Sequence, residues 1–203
     1  AITYVEYSYA KSAGFPAAKV LNKAGFYVLP TAEAVAVGLL GARINPDLSS
    51  NLTGVYTSTD KRAYPLSSYS YMVIPTSNDN GFSNEKGNTL ADFANYFLCQ
   101  GQQQADALGY SPLPINLVKA GFDQIKRIPG AVVENINIAK CNNPTFSADG
   151  SNTLAKTAPQ PPACDAKGPT QCGTAAETGG GGSTGGGTGG GSGSSGGGSA
   201  GGT

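Results

Sequence analysis

The last 26 residues of this chain restrict its fold more than any other feature. Residues 178–203 contain only Gly, Ser, Thr and a single Ala, and they hold 16 of the chain's 30 glycines. A segment without large apolar side chains cannot bury enough surface to offset the conformational entropy lost on ordering. We therefore predict a disordered linker over residues 178–203 and expect the core to form among residues 1–157.

The charge balance excludes some classes of partner. Thirteen Lys and Arg residues face 13 Asp and Glu residues, and no run of one sign is present. Nucleic acids and anionic membranes are bound by clustered basic side chains, so we expect no nucleic-acid partner. Charged residues make up 13% of the chain, whereas about 25% is typical, and this low content suits an exported protein.

The four cysteines support export, because an even number of cysteines in a secreted chain favours disulfides. We predict bridges Cys99–Cys141 and Cys164–Cys172, although three pairings are possible and the sequence alone does not choose among them. Four free thiols in a reducing compartment are the alternative. A zinc site is disfavoured, because the chain has no CxxC pair and no His to supply the usual ligands.

The complete absence of histidine excludes Ser-His-Asp triads, Cys-His dyads and His-based metal sites. No phosphate-binding GxxxxGK[ST] loop is present either. The carboxylates are scattered, and the pattern places most of them on solvent-facing positions. We therefore predict that the chain is not an enzyme and has no catalytic residue, no metal and no cofactor.

The first third of the chain shows signals for both strands and a helix. Aromatic and branched residues with small or polar ones between them predict strands over residues 2–9 and 25–29. Thr31 can cap a helix that runs to about residue 42, with Glu33 in its first turn. We expect the buried stripe of this helix to consist of Val35, Leu39 and Ala42.

The middle of the chain predicts one buried strand and two helices. The strand covers residues 69–75, YSYMVIP. A long helix begins near position 86 or 88, is interrupted near Gly101 and ends at Gly109; another begins at Pro114 and stops at Pro129-Gly130. The buried stripes are expected to be Leu90, Phe93, Ala94, Phe97 and Leu98 in the first helix, and Ile115, Val118, Phe122 and Ile125 in the second.

The rest of the chain carries weaker signals. Val132, Val133, Ile136 and Ile138 alternate loosely, as an edge strand or a surface segment would, and little regular structure is expected from residue 142 onward. The longest apolar stretch, residues 34–42, is much shorter than the roughly 20 residues that a membrane span requires. Both chain ends suggest a fragment of a longer precursor.

Three segments resemble one known family. They are ITYVEYSYA at residues 2–10, YPLSSYSYMVIP at residues 64–75 and YFLCQGQQQADALGYSPLPINLVKAGFDQIKRIPG at residues 96–130. They are similar to segments of the PstS family, the phosphate-binding proteins that serve bacterial phosphate ABC transporters, in the cysteine-containing form of actinobacterial members. The resemblance spans about residues 1–130.

The resemblance implies an α/β fold, namely the C-terminal portion of a type II periplasmic-binding-protein fold with two lobes and a hinge. Residues 1–62 would be the remainder of lobe II, and residues 63–140 a return segment that completes lobe I. Residues 141–177 would form a Cys/Pro-rich extension ahead of the linker. Tyr64 and Pro65 would lie close to the hinge, where a few residues absorb the backbone change of lobe closure.

The resemblance also implies a function for the full-length parent, which would bind inorganic phosphate and deliver it to the membrane permease subunits of the transporter. The family's phosphate ligands come from loops earlier in the sequence, so none is mappable in this segment and we expect it not to bind phosphate alone. Secretion to the cell surface or a periplasm-like space is expected, with an anchor beyond Thr203. A surface adhesion or structural protein that retains the fold is the alternative, and a secreted phosphatase is disfavoured.

Overall fold

The computed structural model describes residues 2–132, 141–147, 149–169 and 172. Residue contacts group Ala1–Gly173, which includes all the described residues, as one compact unit. The predicted linker over residues 178–203 lies outside the described residues. The same holds for Val133, Ile136 and Ile138 of the loosely alternating segment.

Helices and two small sheets make up the described part of the chain, so the fold is of the mixed α/β kind. The elements, in chain order, are α1 (Tyr7–Ser12), β1 (Val20–Leu21), β2 (Tyr27–Val28), α2 (Ala32–Leu39), β3 (Arg43–Ile44), β4 (Ser50–Asn51), α3 (Thr53–Tyr56), α4 (Asn84–Leu98), α5 (Ile115–Ile125) and α6 (Thr153–Thr157), with short 3-10 helices at Gln100–Gln104 and Ala163–Asp165. Each sheet is an antiparallel pair. The registers are Val20 opposite Val28 and Leu21 opposite Tyr27 in the first, and Arg43 opposite Asn51 and Ile44 opposite Ser50 in the second.

The strand predicted over residues 2–9 is wrong in this structure. Residues 2–6 have no regular secondary structure, and α1 begins at Tyr7. Ile2 and Tyr4 are 102% and 86% exposed. Strand-forming side chains stabilise a strand only when a neighbouring strand accepts its hydrogen bonds, and no strand of the described residues pairs with this segment.

The buried strand predicted over residues 69–75 is wrong for the same reason. The segment has no regular secondary structure, and Val73 in its centre is 94% exposed. The strand predicted over residues 25–29 is confirmed at Tyr27–Val28, because β1 lies beside it. The sequence analysis missed β1, since a strand of two residues is too short to show alternation.

Helix α2 begins where its capping signal predicts, and Thr31 Oγ1 accepts a hydrogen bond from the Ala34 amide at 3.2 Å. The predicted buried stripe is wrong, because Val35, Leu39 and Ala42 are only partly buried. The buried positions are small residues: Ala32, Ala34, Ala36, Val37 and Gly38. Small side chains allow α6 to approach closely, and Ala36 and Val37 form a cluster with Ala63, Ala155 and Ala158.

Helix α4 begins at Asn84, slightly earlier than predicted, because Ser83 caps it through a hydrogen bond from the Lys86 amide at 3.4 Å. It ends at Leu98 and is followed by a 3-10 helix around Gly101. Its buried face contains Gly87, Ala91, Ala94 and Leu98. Ala94 and Leu98 were predicted, whereas Phe93 and Phe97, also predicted as buried, are 54% and 42% exposed.

Helix α5 provides the centre of the main core. Val118, Phe122 and Ile125 are buried as predicted, and Ile115 is partly buried. Pro114 lies immediately before the helix rather than in its first turn. The core cluster consists of Ala91, Ala94, Leu98, Val118, Phe122, Ile125, Ile128 and Cys141.

The region after residue 142 is more ordered than predicted. Asn152 caps α6 by accepting a hydrogen bond from the Ala155 amide at 3.2 Å, and a 3-10 helix covers Ala163–Asp165. Within the described residues, no helix is both long enough and apolar enough to cross a membrane.

Candidate functional site

The predicted hinge residues lie in a chain segment that is held firmly by its neighbours. We call residues 60–67 the junction, because the chain passes here from the residues around α2 toward the exposed residues 69–75. The Tyr64 amide donates to the Ala34 carbonyl of α2 at 3.0 Å, and the Tyr64 carbonyl accepts from the Ser67 hydroxyl at 2.8 Å. Tyr64 and Pro65 are both partly buried.

A close approach of backbones keeps the junction against α2. A Cβ atom placed on Gly38 would lie 2.8 Å from the Tyr64 carbonyl oxygen and 2.9 Å from Ser67 Oγ. Real Cβ atoms do not approach other atoms so closely, so only glycine fits at this position without a shift of the chain. Ser67 is 2% exposed, and its hydroxyl is satisfied by the bond to Tyr64.

Asn22 is a polar residue of this region that the sequence analysis did not single out. It is 6% exposed, and its side-chain amide donates to the carbonyls of Lys61 at 2.9 Å and Ala63 at 3.0 Å. Its side-chain oxygen accepts from the Phe26 amide at 3.0 Å. The sequence alone does not indicate this role, because the junction carbonyls that Asn22 binds are about 40 positions away.

Arg62 is the second residue that the sequence analysis missed. Its guanidinium forms an ion pair with Asp60 at 2.7 Å and also donates to the carbonyls of Ala155 at 3.1 Å and Ala158 at 3.3 Å. The hydrogen bonds from Arg62 lower the pKa of Asp60, and the same contact raises the pKa of Arg62. Arg62 therefore joins the junction to α6 and the residue after it.

The tyrosines near the junction are packing and hydrogen-bonding groups. Burial, with a smaller contribution from Tyr4, raises the pKa of Tyr64. Burial first and Tyr71 second raise the pKa of Tyr69 to about 12. The Tyr71 hydroxyl accepts a hydrogen bond from the Ser50 amide at 2.9 Å. Burial therefore favours the protonated form of Tyr64 and Tyr69.

Three apolar segments of the described chain are left exposed, and we refer to them as the exposed segments. Their large side chains are Ile2, Tyr4 and Val5 in the first, Tyr71, Met72 and Val73 in the second, and Phe93, Tyr96 and Phe97 on the outer side of α4. The Phe93 and Phe97 rings stack with centroids 6.4 Å apart. Large apolar surfaces that stay in water are typical of sites that another polypeptide covers.

One surface depression lies between residues 75–82 and the first turn of α4, and its volume is about 500 Å³. Its polar groups are occupied by one another: Lys86 Nζ donates to the Gly81 carbonyl at 2.5 Å, and Ser77 donates to Asp79. The Asp79 carboxylate would repel an anion. This depression therefore does not resemble a phosphate site.

Both predicted disulfides are confirmed. Cys99 and Cys141 are joined with an S–S distance of 2.03 Å and a Cα–Cα distance of 4.6 Å. Cys164 and Cys172 are joined with a Cα–Cα distance of 5.0 Å, and no cysteine is free. No group of His, Cys, Asp or Glu in the described part of the chain is arranged to hold a metal ion.

Comparisons with known proteins show what this chain is similar to. Residues 1–100 match the profile of the PBP superfamily domain. The chain is 32% identical over 135 residues to the phosphate-binding protein PstS of Methanocaldococcus jannaschii, an alignment that covers 63% of this chain and 34% of that protein. It is 32% identical over 118 residues to PstS of Xylella fastidiosa, covering 58% of this chain and 31% of that protein.

A third relative has the same name and a similar coverage. The phosphate-binding protein PstS of Haemophilus influenzae is 27% identical over 125 residues, which cover 62% of this chain and 36% of that protein. The chain thus spans about a third of the length of the curated relatives that it matches. No solved structure matches the chain.

Proposed function

We propose that this chain, which belongs to the PstS family of phosphate-binding proteins, supplies one part of a protein that binds inorganic phosphate for transport. The remaining part supplies the groups that hold the anion. The relatives are named for phosphate binding, and the chain corresponds to about a third of their length. Phosphate recognition by this protein therefore depends on residues outside the matched third.

The observation that carries this proposal is the placement of the exposed segments. All three lie within residues 1–100, the part that matches the binding-protein profile. Residues 2–5 and 71–73 have strand-forming sequences without a partner strand in the described residues, and the outer side of α4 presents two stacked phenylalanines. Such surfaces become stable when a sheet and its neighbours cover them, so we propose that the remaining part of the protein covers them.

The two-lobed arrangement and its boundaries belong to the same proposal. Residues 1–62 contribute to lobe II and residues 63–140 complete lobe I, with Tyr64 and Pro65 close to the hinge. The hydrogen bond from Tyr64 to Ala34 supports this placement, because it fixes one side of the pivot to α2. The backbone change of closure is then absorbed by the residues that follow.

The cellular setting also follows from the family and the cysteines. Two disulfides form and persist in oxidising compartments, which supports secretion. We propose that the protein works at the cell surface or in a periplasm-like space, that it is anchored through sequence beyond Thr203, and that it passes phosphate to the permease subunits of an ABC transporter.

Isothermal titration calorimetry with inorganic phosphate tests the proposal. The full-length protein that contains this chain is titrated beside the isolated chain, and sulfate serves as the control anion for both. The full-length protein is expected to bind phosphate in the micromolar range or tighter, and the isolated chain to show no binding.

Three results would overturn the proposal. Micromolar phosphate binding by the isolated chain would show that the ligand groups lie within these residues. Failure of the full-length protein to bind phosphate would favour the alternative, a surface adhesion or structural protein that retains the fold. Release of phosphate from a generic ester would point instead to a phosphatase.

A further inference from the structure

Residues 141–147 and 149–169, which we call the strap, are attached to two distant parts of the described chain. One end contacts α4 and the residues before α5, in the proposed lobe I. The other end contacts α2 and the hairpin formed by β1 and β2, in the proposed lobe II. The sequence analysis expected an extension with little regular structure, whereas the strap packs along its length.

The first end is attached by a disulfide and by buried polar contacts. Cys141 is bonded to Cys99 and is 3% exposed. The Leu113 carbonyl accepts hydrogen bonds from Asn143 Nδ2 at 3.0 Å and from Thr145 Oγ1 at 2.8 Å. Thr145 is fully buried, so this end cannot leave lobe I without exposing satisfied polar groups.

The second end is attached by an ion pair and by backbone contacts. Lys19 Nζ lies 2.9 and 2.7 Å from the two carboxylate oxygens of Asp165, which is 5% exposed. The Lys167 amide donates to the Gly25 carbonyl at 2.8 Å, and Ala166 forms a β-bridge with Phe26. A carboxylate this deeply buried is stable only with its partner in place.

The middle of the strap is braced as well. The Thr153 amide donates to the Thr145 carbonyl at 3.0 Å, which closes the turn between the two ends. Helix α6 then packs against α2 through Ala155 and Ala158, and Arg62 binds the carbonyls of both alanines. The strap is therefore fixed along its length. Moving its two ends apart must break at least one of these contacts.

We propose that the strap limits how far the two lobes open, so that it sets the population of the closed, phosphate-competent arrangement. This inference rests on the proposed two-lobed function. The lobes also touch directly, for example where Ser111 donates to the Ala32 carbonyl at 2.8 Å and where the Tyr110 hydroxyl donates to Ser8 Oγ at 3.1 Å. The strap resists opening because its attachments at both ends must stretch or break.

The effect on binding follows from population shift. A protein whose binding-competent state is less populated binds its ligand more weakly by the same factor. Releasing the strap at the lobe II end widens the range of open arrangements and lowers the population of the closed one. The ion pair between Lys19 and Asp165 therefore helps to set the affinity through the population of the closed arrangement.

The test compares two Asp→Asn variants of the full-length protein. Asp165→Asn removes the ion pair that attaches the strap to lobe II. Asp149→Asn removes a Lys–Asp pair of the same kind, with Lys156, that lies entirely within the strap, and it serves as the matched control. A donor and an acceptor fluorophore are placed at the exposed positions Lys23 and Lys119 by non-cysteine chemistry, and phosphate affinity is measured by calorimetry.

We expect Asp165→Asn to lower energy transfer in phosphate-free buffer and to weaken phosphate binding about fivefold. Asp149→Asn should leave both measurements at wild-type values. The charge swap Lys19→Asp with Asp165→Lys should restore both toward wild type. If Asp165→Asn does not fold, as judged by thermal unfolding, Arg62→Gln replaces it, because Arg62 holds the α6 part of the strap.

Equal energy transfer and equal phosphate affinity in the two Asp→Asn variants would overturn the strap proposal while leaving the proposed function intact. Absence of phosphate binding by the wild-type full-length protein would overturn the proposed function instead. In that case the energy-transfer measurement, which needs no phosphate, still decides whether the strap restrains the lobes.

Discussion

The core around α5 and the exposed segments are both rich in apolar residues, but the core is buried and the segments are exposed to water. Phe122 of α5 is 4% exposed, whereas Phe93 on the outer side of α4 is 54% exposed. The two phenylalanines have the same chemistry and occupy neighbouring helices. The difference shows that an apolar side chain is buried only where a second surface exists to receive it.

The comparison extends to the backbone. The hydrogen bonds of α4 and α5 are satisfied within each helix, so the two helices can pack as finished units. Residues 2–5 and 71–73 have strand-like sequences, and a strand is completed only by a neighbour. The described chain offers them none.

The largest expected effect compares the two phenylalanines directly. Phe122→Ala should lower the free energy of unfolding of the isolated chain by about 3–5 kcal/mol, because it removes buried apolar surface and leaves a cavity. Phe93→Ala, the matched control, should change the free energy of unfolding by less than about 1 kcal/mol. Urea denaturation followed by circular dichroism measures both. Similar losses of unfolding free energy in the two variants would contradict the distinction between a buried and an exposed phenylalanine.

The stability lost when a disulfide is removed should increase with the length of the loop that it closes. The Cys99–Cys141 bridge spans 42 residues and the Cys164–Cys172 bridge spans 8. Loop-closure entropy predicts that replacing both cysteines of a bridge by serine costs about 4 kcal/mol for the longer loop and about 2.5 kcal/mol for the shorter one. Denaturation curves of the two double variants test this order. A larger loss from the shorter bridge would show that contacts, rather than chain entropy, dominate.

A smaller effect is expected where α4 approaches residue 129. A Cβ atom on Gly87 would lie 1.7 Å from the Pro129 carbonyl oxygen. Gly87→Ala should therefore destabilise the chain by about 2 kcal/mol, because the forced shift outweighs the roughly 1 kcal/mol that alanine gains over glycine inside a helix. Gly121→Ala is a suitable comparison, because its nearest neighbour is the flexible end of Leu98, which can move. Thermal unfolding of both variants should show the greater loss for Gly87→Ala.

The smallest expected effect is at Val73, and it tests most directly whether the exposed segments are covered in the full-length protein. Val73→Ser should change the free energy of unfolding of the isolated chain by less than about 0.5 kcal/mol, since Val73 already lies in water. In the full-length protein the same change should cost about 1–2 kcal/mol, because the side chain is then covered. Val132→Ser, at a residue that is 69% exposed and outside the strand predicted over residues 69–75, serves as the control and should be neutral in both proteins. Equal behaviour of Val73→Ser in the two proteins would mean that nothing covers this segment.

Sequence signals predicted the structure correctly at several places where the interacting residues are close together in the chain. Thr31 caps α2, and Val118 and Phe122 lie on the buried face of α5. Each of these features depends on residues within a few positions of one another. The disulfide pairings also agree with the prediction, although the sequence alone left three pairings open. The predicted helix end at Gly109 is wrong, because α4 ends at Leu98.

The candidate site was only partly visible in the sequence. Tyr64 and Pro65 were named from the family resemblance, and their role as a hinge stays a prediction. Asn22 and Arg62 were missed, because each binds carbonyl groups that carry no sequence signal and lie far along the chain. The buried side of α2 was also misjudged, since the pattern favours large residues and the packing of α6 against it uses alanine.

The sequence by itself predicted the starts of α2 and α5 and the buried face of α5, excluded His-based catalytic and metal sites, and indicated a similarity to one family. Capping, proline and glycine act on the chain locally, so their effects can be predicted without knowing what lies next to them. Only the tertiary structure decided which apolar residues are buried and that the strap is attached to both α2 and α4. Burial and long-range hydrogen bonds require a partner surface, and the identity of that partner is a property of the folded chain.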